Sequence, residues 1–547
     1  MRKRRQAIEA NNFLGLNERA ETRMLTQYFR SGKNFFITDD AFVEKVRGTR
    51  KIYEGHNFDE IYSLYYHKEN NSVLLATGLE GSTYKMKVYE GGSWTDKSLP
   101  SEVGSKHFDE YPVWYASYLN EPYIFTGEMS LVYQSTSTKT LEDLDTINYD
   151  WFIANGGSSE NYVPIRGISP IIHFNALWIA GIGDWKNIVM YTQNFNNIFY
   201  NIKTGNIPRI NYKSIGGDDS AASATLDEIT VMLEWGPEIV VFKNNSMHRI
   251  TGYTSTQYTP IPINSDIGCK YPQSAKRMRS GIVWLDDVDS GVWMYSGGAP
   301  KNISRPMVDS IIREAGPDPV VRSGVLNDRY YLLSLGRNTL VYDTDLNSWS
   351  VQDVSYGSFA RVSSKRDFFL AAKNTYTETK QSVTDPARPG EPQEVLQKIA
   401  TGADILELDR GAKREQESDG SGGEDIDFEI VTPYLDAGSR RVKKTFYEVM
   451  VHFKSGDRVL YLDVDIDGIL YKDLKGSIDP RPLYQEAYYN EVEFDRIPLY
   501  ETKFLMPIGA TGYSLSLKFH NSTGKKIRIE DYVVYFLPRS TYKEERE

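Results

Sequence analysis

A repeated landmark constrains this chain more than any other feature. Two or three apolar or aromatic residues, a Tyr or Phe, and then a polar turn recur along it. The copies are VYEGGSW ending at Trp94, LVYQSTS from Leu131, VMYTQNF from Val189, VVFKNNS from Val240, VWMYSGG from Val292 and LVYDTDLNSW from Leu340. Their aromatics, Tyr89, Tyr133, Tyr191, Phe242, Tyr295 and Tyr342, stand 44–58 residues apart. A four-stranded propeller blade takes about 40–50 residues. Between the landmarks lie short runs such as Tyr62–Tyr66, Val113–Tyr118, Ile229–Leu233 and Tyr330–Leu335. Each has about the usual length of a strand, and turn residues separate them. The pattern predicts an all-β chain, with a β-propeller of about six to eight blades over residues 49–425.

Composition agrees with strands. The chain has 547 residues, with 38 Tyr and 9 Trp, and such rings favour strands and interfaces. Its length is enough to bury a large core without staples. One cysteine, Cys269, excludes a disulfide framework and any multi-Cys zinc site. Mean hydropathy is −0.48, and no run of 18 apolar residues would span a membrane. The start, MRKRRQAIEA, has no apolar stretch behind its charges and does not read as a secretory signal. A net charge of −11 argues against binding nucleic acid by neutralising phosphates.

Residues 1–48 read as an N-terminal arm, with a short helix over Glu18–Tyr28. Within the propeller region two stretches read as long irregular loops, and loops of that length are usually functional or disordered. Residues 375–394 carry Pro386, Pro389 and Pro392 among few apolar residues, and residues 410–425 (RGAKREQESDGSGGED) are charged and rich in Gly and Ser. One internal segment reads as helix, Ser304–Ala315: Ser304 stands as a cap, Pro306 in the first turn and Gly316 as a stop. From residue 426 to 547 the alternation is cleaner. Tyr447–Phe453, Val459–Ile466, Glu491–Glu493, Tyr513–Phe519 and Tyr532–Phe536 predict a β-sandwich.

Few residues carry chemistry. Asp463, Asp465 and Asp467 in DVDIDG resemble the opening of a calcium loop, and they are the weak metal candidates. Leu474 stands where the bidentate Glu would be, so a strand ending in an Asp-Gly turn is the plainer reading. The seven histidines show no metal-ligand spacing, and HExxH, GxSxG and GxxxxGK[ST] are all missing. No catalytic residue is assigned, no cofactor is expected, and the chain is not expected to be an enzyme. Arg2, Arg4 and Arg5 read as a solvated tail or a peg into a neighbouring subunit. Trp94 in GGSW and Trp349 in DLNSW sit at turns before strands and are candidate loop or interface aromatics.

The order of segments resembles a known family. Gly15–Asn17 and NFFITDDAFVEKVRGTRKIY from Asn34 resemble the opening of many tailed-phage virion proteins. Leu226–Gly252, Pro300–Gly316 and Leu326–Val351 look like successive stretches of the propeller in tail hub, nozzle or packaged-DNA stabilisation proteins of short-tailed phages. The ending, with VDIDG and Arg496–Leu499 before GYSLSLKF, is similar to the β-sandwich that closes such chains.

The resemblance implies a virion tail protein, assembled in the host cytoplasm into a ring, a hexamer by expectation, below portal and adaptor. Such a ring would pass double-stranded DNA without sequence-specific contact, retain packaged DNA and guide its ejection, and could also meet the host surface. It implies no catalytic residues. The rival functions are a receptor- or glycan-binding propeller and a glycan-degrading enzyme, whose paired carboxylates would come from different blades.

Overall fold

The computed structural model describes residues 5–19, 26–68, 72–101, 112–183, 185–199, 211–216, 227–316, 319–362, 368–384, 392–409, 413–419, 421–456, 459–474, 476–478 and 499–539. It is almost entirely β. Seven four-stranded antiparallel sheets follow one another along the chain. Their first strands are Glu60–His67, Trp114–Tyr118, Ile168–His173, Ile229–Trp235, Lys276–Arg277, Val321–Leu326 and Ser358–Val362. Six sheets use four consecutive strands. The seventh is completed by Arg50–Lys51, which pairs with Glu407 and Leu406 from before the first sheet begins.

Hydrogen bonds and one ion pair carry each sheet onto the next, and the order returns to its start. Ser63 bonds to the Tyr115 hydroxyl, and the Tyr118 hydroxyl donates to the Asn175 carbonyl at 2.9 Å. The Met232 N–H donates to Ser169 Oγ at 2.8 Å, and Arg277 lies 3.8 Å from Glu234. Ser323 Oγ donates to the Ser274 carbonyl at 2.9 Å, and Arg322 Nε to the Gly357 carbonyl at 3.1 Å. The Leu64 N–H then donates to Ser358 Oγ at 2.9 Å, joining the seventh sheet to the first. Separate buried clusters fill the gaps, such as Leu75, Val88 and Leu131 between the first and second sheets. Leu332, Ala371 and Leu406 do the same between the sixth and seventh.

The landmark aromatics take equivalent places in these sheets. Tyr89, Tyr133, Tyr191, Tyr295 and Tyr342 all lie on third strands, whereas Phe242 lies one strand early. In two sheets the motif's Trp is the cross-strand partner of its Tyr: Tyr89 faces Trp94 and Tyr342 faces Trp349. The motif is therefore a turn plus an aromatic pair across a ladder, which is the unit that holds a sheet together.

Two larger sheets enclose one core at the C-terminal end. One contains Lys444–Ser455, Leu499–Leu505 and Ile527–Pro538; the other contains Phe428–Val431, Tyr461–Ile466, Ile469–Leu474 and Leu515–Asn521. Val449, Val451, Tyr532 and Val534 of the first meet Ile430, Leu462, Val464 and Leu517 of the second. The N-terminal arm expected over residues 1–48 is woven into these two sheets. Gln6–Ala10 pairs with Ile527–Pro538, Phe35–Ile37 and Val43–Lys45 extend that same sheet, and Ser31–Lys33 pairs with Phe428–Val431. Burial explains this placement, because Phe13, Phe29 and Phe35 are fully inside this core.

Three local expectations also need correction. Residues 375–394 are not an irregular loop: Phe368–Thr384 and Pro392–Glu407 form one long antiparallel ladder, with 385–391 outside the described residues. A ribbon without a third strand beside it needs no apolar face, so its sequence lacks the alternation that marks a half-buried strand. The expected helix at Ser304 begins only at Asp309 and runs to Glu314. Ser304 Oγ accepts the Val292 N–H at 3.0 Å instead of capping. Around the proposed Glu18–Tyr28 helix, Glu18 and Arg19 are in a turn and Tyr28–Phe29 is strand, with 20–25 outside the described residues.

An unforeseen helix, Leu144–Ala154, follows the second sheet. The Asp143 carboxylate caps it by accepting from the Asp145 and Thr146 N–H groups.

Candidate functional site

Two features stand out: one rises where the seventh sheet meets the first, and the other lies among the first strands of several sheets. The first is a ribbon. The ladder between Phe368–Thr384 and Pro392–Glu407 runs from Leu370↔Glu407 to Thr384↔Pro392, but Ser358–Val362 flanks it only as far as Ala372. Beyond that point 12 residues of the first strand, Lys373 to Thr384, continue in a two-stranded ribbon. At about 3.3 Å per residue that is roughly 40 Å of extended chain. Its base is clamped: Asn374 accepts the Ile61 N–H at 2.9 Å and donates to the Ile61 carbonyl at 3.1 Å. The Tyr376 hydroxyl donates to Glu60 at 2.6 Å. Tyr376 and Ile399, on opposite strands near this base, are exposed.

The second feature is a cavity of about 370 Å³ lined by the first strands of five sheets and the residues beside them. Tyr65, Trp114, Tyr115 and Phe359 give it an aromatic wall. The Tyr65 and Tyr115 rings stack at 4.8 Å, nearly parallel, and Ser117 and Ser63 hold their hydroxyls. Among the described residues, Lys276 and Arg322 are its charged lining residues and no carboxylate lines it. Burial, with Arg322 beside it, pulls the Lys276 ammonium down to about 8. Burial also lowers the Arg322 guanidinium from its usual value.

The residues that the sequence singled out do not come together. Trp349 is buried, donates Nε1–H to the Ile303 carbonyl at 2.8 Å and packs on Tyr342. Trp94 is half-buried, donates to the Tyr53 carbonyl at 2.9 Å and packs on Tyr89. Neither serves as an open loop aromatic, because each ring is used inside its own sheet. Arg2 and Arg4 lie outside the described residues. Arg5 sits over the Tyr447 ring at 5.5 Å, so it braces the C-terminal sheet.

The three aspartates do not converge either. Asp467 and Gly468 form the two-residue turn, both with positive φ, and Asp465 accepts from the Gly468 N–H and the Tyr434 hydroxyl. Asp467 accepts from the Tyr513 and Ser514 N–H groups. Only Asp463 stands near other ligand types, with His520 Nε2 at 3.5 Å and Asp473 alongside. His520 and Asp473 escaped the sequence reading because they lie on other strands.

Lys276, Arg322 and the neighbouring Gln273 also left no local signal. Gln273 and Lys276 lie three residues apart, but Arg322 belongs to the next sheet, and only the order of the sheets brings it beside them.

No protein-family model and no curated relative matches the chain. Among solved structures it is similar to the extracellular domain of a one-component system of B. thetaiotaomicron, at 10% identity and a TM-score of 0.38. That match covers 74% of this chain and 43% of the other, so the chain spans less than half of that domain. It is also similar to a luciferin-regenerating enzyme, at 9% identity and a TM-score of 0.31, over 59% of this chain and 87% of that one.

Proposed function

We propose that the seven sheets are the blades of one β-propeller, that the two C-terminal sheets form a β-sandwich, and that the chain is an assembling structural protein of a phage tail hub or nozzle. The closed order of sheet contacts supports the propeller. So does Arg50–Lys51, which fastens the last sheet with a strand from before the first.

The two-stranded ribbon beyond Ala372 carries the functional reading. A lone ribbon is marginal in water, so a long one anchored at its base by Asn374 and Tyr376 suits an arm that docks on another subunit. Repetition of one such contact closes a ring. Exposed Ile469, Leu470 and Leu505 on the C-terminal sheets, with Ile508 in the turn that follows Leu505, add apolar surface of the kind that assemblies cover. A protomer of net charge −11 lets a polyanion pass without adhering. The glycan-binding alternative loses Trp94 and Trp349 as ligand-facing rings.

The test is electron-microscope class averaging of the purified chain, alone and with the other components of its particle. A variant in which a short turn replaces residues 377–399 is examined beside it. Closed rings with a channel wide enough for duplex DNA are expected from the intact chain, and single discs from the variant. Discs from both under every condition would overturn the tail-hub reading.

A further inference from the structure

We infer that the cavity between the first strands binds a compact organic anion, its carboxylate or phosphate group held by Lys276, Arg322 and Gln273 and its sugar-sized body resting on the aromatic wall. The claim concerns a single protomer and stands apart from ring formation, so either can fail without the other.

Among the described residues the donors there are largely unused. Lys276 Nζ makes no hydrogen bond or ion pair with any of them, and the Arg322 charge bears on it. Gln273 Nε2 is buried without a partner. Arg322 spends Nε on the Gly357 carbonyl and Nη1 on the Val321 carbonyl, which fixes the guanidinium and leaves Nη2 uncommitted. The carboxylate that Arg322 does feel, Glu60, is outside the lining and is occupied by the Tyr62 and Tyr376 hydroxyls.

Two like charges lining one partly enclosed cavity, with no carboxylate among its described lining residues, are costly. An anion between them removes that cost, and charge-assisted bonds to a carboxylate or phosphate are the strong kind. The remaining volume decides against a bare inorganic ion. A cavity of about 370 Å³ falls within the range for small organic ligands, and rigid aromatic faces such as Tyr65, Tyr115 and Trp114 suit the flat side of a sugar. Binding should also draw a proton onto Lys276, since its ammonium is held down to about 8 while empty of a partner.

The experiment is isothermal titration of the full chain at pH 8 with glucuronate, glucose 6-phosphate and neutral glucose. Buffers of different ionisation enthalpy are used to count protons. Saturable binding of at least one of the two anions is expected, with proton uptake and no binding of glucose. The stronger of the two identifies the head group. Lys276→Met should weaken that anion at least about tenfold and abolish the proton uptake, while its melting temperature is equal or higher because a buried charge has gone. Arg322→Lys, which keeps the charge and loses the fork, should weaken it less. The inference is overturned if neither anion saturates below about 10 mM, if Lys276→Met binds as the parent does, or if glucose binds as well as the anions.

Discussion

His56 ties stability to pH through one acceptor atom. It is 6% exposed, its Nδ1 accepts the Phe58 N–H at 3.1 Å, and its ring packs edge-on against Trp94. Burial, with Lys87 nearby, pushes its pKa down to about 4. The folded value is below the unfolded value of about 6.5, so the unfolded chain takes up the proton first. This contribution is therefore complete above about pH 6.5 and is lost as the pH falls toward 4, amounting to about 3 kcal/mol. Urea unfolding at a series of pH values should show the loss in the parent. His56→Asn, which keeps an acceptor near Nδ1 and cannot be protonated, should flatten it. An equal slope in both proteins would refute the assignment. The same neighbourhood shows what a motif means: GGSW looked like a loop presenting Trp94, yet its indole closes over Tyr89 and His56.

The hairpin Tyr461–Ile466 and Ile469–Leu474 is set by its turn, and the turn is tied to a neighbour by one carboxylate. Asp467 accepts the Tyr513 N–H at 2.7 Å, the Ser514 N–H at 3.0 Å and the Ser514 hydroxyl at 3.1 Å. Asp467→Gly keeps the turn conformation and loses all three bonds, so it should cost about 1–2 kcal/mol in chemical denaturation. Calcium should leave the parent's midpoint unchanged, because Asp465 and Asp467 are already committed. A neutral Asp467→Gly, or a calcium-dependent midpoint, would refute this role.

Elements of this kind were legible in sequence. The DVDIDG strand and turn and the landmark aromatics follow from patterns within about ten residues. The helix Leu144–Ala154 was missed because Asp145 and Asn148 interrupt its buried face, and its Asp143 cap reads equally well as a turn. The ribbon was missed because its pairing is with itself, at a distance, with no core to imprint an alternation.

At the scale of the molecule, the first 48 residues decide whether the chain is two bodies or one. Their strands extend both C-terminal sheets, across nearly the whole sequence. Glu44 accepts from Arg528 Nε and Nη2 at 3.0 and 2.8 Å. Phe13 packs on Phe29 and Tyr532, in a core that also takes in Val283 and Leu285 of the fifth sheet and Tyr331 and Trp349 of the sixth. Arg50–Lys51 then closes the seventh sheet. None of this is readable locally, since strands of two to five residues pair with partners hundreds of positions away.

It follows that the seven sheets and the C-terminal pair unfold together. Phe13→Ala removes a ring that is 1% exposed and should cost about 3–5 kcal/mol while leaving a single transition. Deleting residues 1–48 should go further. It exposes an edge of each C-terminal sheet and the apolar surface beneath Phe13, Phe29 and Phe35, and should give a protein that binds hydrophobic dye and melts without cooperativity. Calorimetry of the two variants beside the parent checks both. A deletion variant that melts cooperatively within a few degrees of the parent would show that the two C-terminal sheets do not depend on these residues. Two separated transitions in Phe13→Ala, with only the first shifted, would instead mean that the shared core does not couple the sheets.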